Sequence, residues 1–123
     1  MKLCITMISN RPRMARERWL SSIHKLDPLR EKIDTVFSFV LQEPFTEEDA
    51  VPYKALGATK LVKKSTAKRF NWWPNRNEVV KAHKADFYLM TDDDHRFGGP
   101  TPSGYTSWER YYDAIMYMEE NPD

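Results

Sequence analysis

Asp92, Asp93 and Asp94 stand side by side directly behind the apolar run Phe87-Tyr88-Leu89-Met90-Thr91. Two like unit charges about 4 Å apart cost about 1 kcal/mol in bulk water and about 4 kcal/mol at an effective dielectric of about 20. Three carboxylates at the end of a buried strand therefore call for a counter-charge, and Mg²⁺ or Mn²⁺ suits carboxylate oxygens. Side chains alternate along extended chain, which points Asp92 and Asp94 to one side and Asp93 to the other. A cation held by one or two carboxylates keeps positions open for phosphate oxygens and neutralises charge on a diphosphate leaving group. The plainer reading is an acidic turn. The position of the run, after a buried strand and before His95-Arg96 and a glycine-containing loop, favours the metal.

Other residue types could add to such a site. Arg76-Asn77 lies just inside a helix opened by Pro74. A helix N-terminal region attracts anions, and arginine supplies a bidentate phosphate donor. Lys63, Lys64, Lys68 and Arg69 precede Phe70-Asn71-Trp72-Trp73, a basic and aromatic stretch of the kind that stacks on single-stranded nucleic acid. With a formal net charge of only +1, a local phosphate-binding loop with packed or lid tryptophans is the better reading, and nucleic acid is not expected as a direct ligand. His24, His83 and His95 lack metal-ligand spacing, although His95 borders the acidic run. No phosphate loop, nucleophile elbow or zinc motif is present.

The elements that must position these residues follow from hydrophobic periodicity. Leu3 to Ile8 is nearly continuous in apolar character, as a strand covered on both faces should be. Pro12 can open a helix whose Ala15, Trp19, Ile23 and Leu26 share one face, with Asp27-Pro28 as its expected end. Thr35 to Leu41 reads as a second strand, and Leu61-Val62 as a short third. Between them, Thr46 with Asp49 forms a helix start and Gly57 a stop. Pro74 begins a helix packed through Val79, Val80 and His83, and Asp86 to Thr91 is the fourth strand. Thr106-Ser107-Trp108-Glu109 is a capping box ahead of the apolar stripe Trp108, Tyr111, Tyr112, Ile115 and Met118.

Strands alternating with helices predict an α/β fold: three layers, α/β/α, around a mostly parallel sheet. Ligands of such sheets bind outside the carboxyl ends of the strands. Ser9-Asn10-Arg11, Gln42-Glu43 and the aspartate run all fall there and should converge on one crevice. At 123 residues and 41% hydrophobic, the chain fits one globular domain, residues 1–123. The single cysteine, Cys4, lies among apolar residues, excludes an internal disulfide and suits a reducing compartment. No signal peptide or membrane span is legible, so a soluble, cytoplasmic protein is expected.

The order of these motifs resembles the nucleotide-binding half of a GT-A glycosyltransferase, nearest the large family 2 group. Asn10-Arg11-Pro12 resembles that family's turn after strand one. Asn75-Arg76-Asn77, a helix, and Ala85 through Asp94 resemble its Arg-Asn, helix and strand-to-aspartate segment. The resemblance spans about Lys2 to Phe97, so residues 1–97 match the family while residues 98–123 add a loop and an amphipathic helix. It implies Rossmann-like topology, a nucleotide-diphosphate sugar as donor, and Mn²⁺ or Mg²⁺ as cofactor. By resemblance, Asp94 and Asp92 hold the metal. Asn10, Arg11, Glu43, Arg76, Asp92 and Asp93 line the sugar-nucleotide site.

There are departures from the family pattern. Gln42-Glu43-Pro44-Phe45 replaces an acidic Asp-Asp-Gly-Ser segment, which leaves Glu43 as the substitute for reading the base. Glu78-Val79 replaces a glycine. The family's acceptor half, which carries the catalytic base of inverting members, has no counterpart in these residues, so no base is assigned and the acceptor is unknown. Asn121-Pro122-Asp123 reads as a helix exit into further chain. Two alternatives remain open: a nucleotidyltransferase of related fold, which would want a glycine-rich basic loop after strand one, and a non-catalytic assembly module that oligomerises through the Trp108–Met118 helix.

Overall fold

The structure, a computed structural model, describes residues 1–62, 72–99 and 106–122. Four strands, β1 (Lys2–Ser9), β2 (Asp34–Gln42), β3 (Ala58–Val62) and β4 (Phe87–Asp92), pair in parallel in the order β3-β2-β1-β4. Ser9 lies opposite Leu41, Ile8 opposite Asp92, and Gln42 opposite Val62. All four carboxyl ends therefore fall along one rim.

Alternation sorts the central strands onto two faces. Leu3, Ile5 and Met7 of β1 join Phe37, Phe39 and Leu41 of β2 in the larger core. Ile8 and Val40 point the other way, into a smaller cluster with Val79. Burial on both sides is why these strands read as unbroken apolar runs. Helices cover both faces, so the chain is an α/β protein with a parallel sheet, as the periodicity predicts.

After β1 the chain turns helical at Pro12. A first turn, α1 (Pro12–Met14), continues as a π-helical segment over Ala15–Leu20, a 3₁₀ turn over Ile23–Leu26, and α2 (Asp27–Lys32). Ala15, Trp19, Ile23 and Leu26 are all buried, as their spacing predicts. Asp27-Pro28 does not end the helical run. It opens α2, because a missing N–H costs nothing in a first helical turn.

Helix α3 (Glu47–Leu56) starts at a complete capping box: Asp49 N–H donates to Thr46 Oγ1 (3.1 Å) and Thr46 N–H to Asp49 Oδ2 (3.0 Å). Gly57 stops it, but not by a left-handed turn. Its φ of 177° is extended backbone, and glycine is needed there because a Cβ would strike the carbonyl of Phe37. Helix α4 (Trp72–Ala82) begins two residues before Pro74 and buries Val79 against the smaller cluster. His83 lies just beyond its end.

The last helix, α5 (Ser107–Glu120), carries the predicted box between Thr106 and Glu109. Its apolar stripe packs on the protein's own core: Ile115 is buried, and Trp108, Tyr111 and Tyr112 lie against the larger cluster, leaving Tyr117 and Met118 outside. Lys32 Nζ sits 6.0 and 5.5 Å from the ring centres of Trp108 and Tyr112, which ties α2 to α5. The basic stretch Lys63, Lys64, Lys68 and Arg69 with Phe70-Asn71, and the loop from Pro100 to Gly104, lie outside the described residues. Among the described residues, no helix is long and apolar enough to cross a membrane.

Candidate functional site

The rim of carboxyl ends gathers the predicted residues, and it divides the aspartate run. Asp92 ends β4 and is exposed; Asp94, in the turn that follows, is exposed too. Asp93 between them turns inward and is 6% exposed. The split is made by a turn, closed by the His95 N–H donating to the Asp92 carbonyl at 3.1 Å, and not by alternation along extended chain.

The counter-charge at Asp93 is a side chain. Arg11 grips the carboxylate with both edges of its guanidinium: Nε donates to Oδ2 (2.9 Å) and Nη2 donates to Oδ1. Ser9, buried at the end of β1, adds its hydroxyl to Asp93 Oδ2 at 2.8 Å, while its Oγ accepts the Arg11 backbone N–H at 3.0 Å. The fork geometry and the charged acceptor make this the strong kind of hydrogen bonding. It raises the Arg11 pKa further above its ordinary value, chiefly through the hydrogen bond to Asp93, against the opposing pull of burial. Arg11 Nη2 is also 4.0 Å from Asp94 Oδ2, an ion-pair distance without a hydrogen bond.

Three carboxylates and the Arg11 guanidinium sum to a formal −2 before Arg76, which lines a pocket with Asp92, is counted. Among the described residues, no group of three or more His, Cys, Asp and Glu side chains gathers as a ready-made cage. Two hard oxygen donors suit a cation that completes its shell with water and substrate phosphate, as Mg²⁺ does. Asp92 and Asp94 are two exposed oxygen donors of that chemical type.

Arg76 approaches the same rim. A cavity of about 190 Å³ is lined by Arg76 and Val79 of α4, Thr6 and Ile8 of β1, and Met90, Thr91 and Asp92 of β4. A guanidinium and a carboxylate from segments far apart in sequence therefore share one pocket with an apolar floor. Asn10 is partly buried in the bend after β1. Glu43 is exposed beyond β2, its backbone N–H donating to the Val62 carbonyl at 2.9 Å. The rim brings the six residues predicted for a nucleotide site to one end of the sheet, with Arg11 committed to Asp93.

Several supporting contacts are missed by motif reading. Asn75 and Gln42 are both buried, and Asn75 Nδ2 donates to Gln42 Oε1 at 2.7 Å, which fixes the start of α4 to the end of β2. Trp19 Nε1 donates to Thr91 Oγ1 (2.7 Å), and the Thr91 hydroxyl in turn donates to the Thr6 carbonyl (2.7 Å). A polar β-branched residue at the end of an apolar strand was the available signal for Thr91. Beyond the aspartates, the chain is strapped down by Phe97, which is fully buried and whose N–H donates to Ser22 Oγ at 2.8 Å. His95 lies edge-on to the Phe97 ring, 4.7 Å between centres, with Nε2 3.0 Å from Tyr111 Oη. It belongs to this strap.

Compared with models of protein families, with curated proteins and with solved structures, the chain matches none.

Proposed function

We propose that this chain binds a nucleotide-diphosphate sugar through a divalent cation and serves as the donor-binding part of a glycosyltransferase. The observation that carries the reading is the charge division at the sheet rim: Asp93 is neutralised internally by Arg11, while Asp92 and Asp94 stay exposed and Asp92 lines a pocket with Arg76. In this reading Asp92 and Asp94 hold Mn²⁺ or Mg²⁺, which supplies charge neutralisation of the diphosphate leaving group. Arg76 donates to a phosphate oxygen. Asn10 and Glu43, at the ends of β1 and β2, face the nucleoside. The order of motifs around these residues, similar to that of family 2 GT-A enzymes, supports the same assignment.

A thermal-shift series tests it. UDP- or GDP-sugars should raise the melting temperature of the wild type only when Mn²⁺ or Mg²⁺ is present, and Asp94→Ala should abolish the rise. Stabilisation that ignores the metal, or that survives Asp94→Ala, rejects the reading.

A further inference from the structure

Tyr53 is 1% exposed, and its hydroxyl makes no hydrogen bond among the described residues. Its ring packs against Trp19, Phe39 and Phe45, with centres 6.2, 5.3 and 6.0 Å away, where a phenylalanine would serve as well. A buried hydroxyl left unpaired is costly, and buried tyrosines normally find a partner. Tyr53 also lines a cavity of about 190 Å³. The helical segment after β1 gives that cavity Pro12, Arg16 and Leu20, and α3 gives it Glu48, Asp49 and Pro52. Burial chiefly pushes the Tyr53 pKa up; next come Arg16, which lowers it, and Asp49, which raises it. Both charges line the cavity, so the hydroxyl end of the ring is the end that meets it.

The lining sets the chemistry of a ligand. Arg16 and Glu48 are exposed, and no ion pair among the described residues includes either. A guanidinium that only donates, a carboxylate that only accepts and a hydroxyl that does both therefore share one small space. Pro12, Leu20 and Pro52 add apolar wall. A sugar ring matches this mixture, with hydroxyls that donate and accept and C–H faces that pack on apolar surface. Glu47, Glu48 and Asp49 occupy the first turn of α3 and disfavour a phosphate or other anion. The volume is below the roughly 300 Å³ of the smallest drug-sized sites, which leaves space for one ring and not for a nucleotide.

We propose that this cavity binds one neutral sugar ring, with the Tyr53 hydroxyl bonded to it from within the core and Arg16 and Glu48 holding its outer hydroxyls. The cavity lies on the larger-core face of the sheet, opposite α4, and is separate from the pocket of Arg76 and Asp92. It uses no metal.

Amide nuclear magnetic resonance spectra of the full chain, titrated with glucose, galactose, mannose and N-acetylglucosamine in the presence of a chelator, test this apart from the donor reading. At least one sugar should give saturable shifts confined to residues 12–20 and 48–53. Tyr53→Phe should weaken that binding about tenfold, the effect of one lost hydrogen bond, and Arg16→Gln should weaken it as well. Without sugar, Tyr53→Phe should melt no lower than the wild type, because only an unpaired hydroxyl is removed. Absence of shifts with all four sugars would overturn the proposal, as would either variant binding like the wild type. A lower melting temperature for Tyr53→Phe would show the hydroxyl bonded within the fold, against the proposal. Shifts at the same residues with inorganic phosphate or glycine, and with none of the sugars, would make the cavity an ion site instead.

Discussion

Truncating Asp93 to alanine should destabilise the fold, although it removes a charge from an acidic run. The carboxylate accepts the Ser9 hydroxyl and two Arg11 N–H groups. Ser9 is 1% exposed, so its hydroxyl loses a charged acceptor with little water to replace it, at about 1.5–3 kcal/mol. Arg11 is half exposed and resolvates, which limits the lost ion pair to about 0–1 kcal/mol. The sum is about 1.5–4 kcal/mol, or roughly 10 °C in melting temperature for a domain of this size. Urea unfolding followed by tryptophan fluorescence measures it, with Asp92→Ala and Asp94→Ala as controls. Both control side chains are exposed, and removing either relieves like-charge repulsion, so each should be neutral or stabilising by up to about 1 kcal/mol. If all three variants unfold within about 0.5 kcal/mol of one another, the division of the run into one structural and two solvent-facing carboxylates is wrong.

Other perturbations probe the frame behind the site. Trp19→Phe keeps much of the ring packing against Phe37, Phe39, Tyr53 and Phe97 but loses the donor to Thr91, and should cost about 1–3 kcal/mol in chemical unfolding; no loss would mean the Trp19–Thr91 bond contributes nothing. Gly57→Ala places a Cβ against the Phe37 carbonyl and 2.9 Å from its Cβ, so overpacking should destabilise by about 1–3 kcal/mol, and a stabilised variant would contradict the close approach of α3 to β2. Burial pushes the Cys4 thiol up to about 11 from 9.0, so the unfolded chain ionises first and the thiol's contribution to stability is lost as pH rises from 9.0 toward 11. Labelling by a disulfide reagent at pH 8 should therefore track global unfolding, and Cys4→Ala should remove this alkaline component; fast labelling of the native protein would show that Cys4 is accessible.

The strands, their parallel sense and two helix starts were legible because each rests on local chemistry. Unbroken apolar runs gave β1 and β2, and two pairs each three residues apart in sequence, Thr46 with Asp49 and Thr106 with Glu109, marked helix N-termini. What was not legible depends on partners far along the chain. The charge of the aspartate run pointed to a cation, but nothing local marked Arg11, 82 residues earlier, as the first one. Gln42 and Asn75, separated by 33 residues, form a buried pair that neither residue type announces. Phe97 was assigned to no element, and only its burial against Trp19 shows why an aromatic belongs there. Asp27-Pro28 carries a helix-ending signal and a helix-opening one, and the burial of Leu29 against the core decides for opening.

The central claim is that Asp92 and Asp94 together hold one divalent cation for the diphosphate of a sugar nucleotide. Calorimetric titration with UDP- and GDP-sugars, with and without Mn²⁺, tests it most directly. The account predicts single-site binding that requires the metal and is lost in both Asp92→Asn and Asp94→Asn while the fold is retained. Binding of equal strength without metal, or undiminished in either variant, would contradict it.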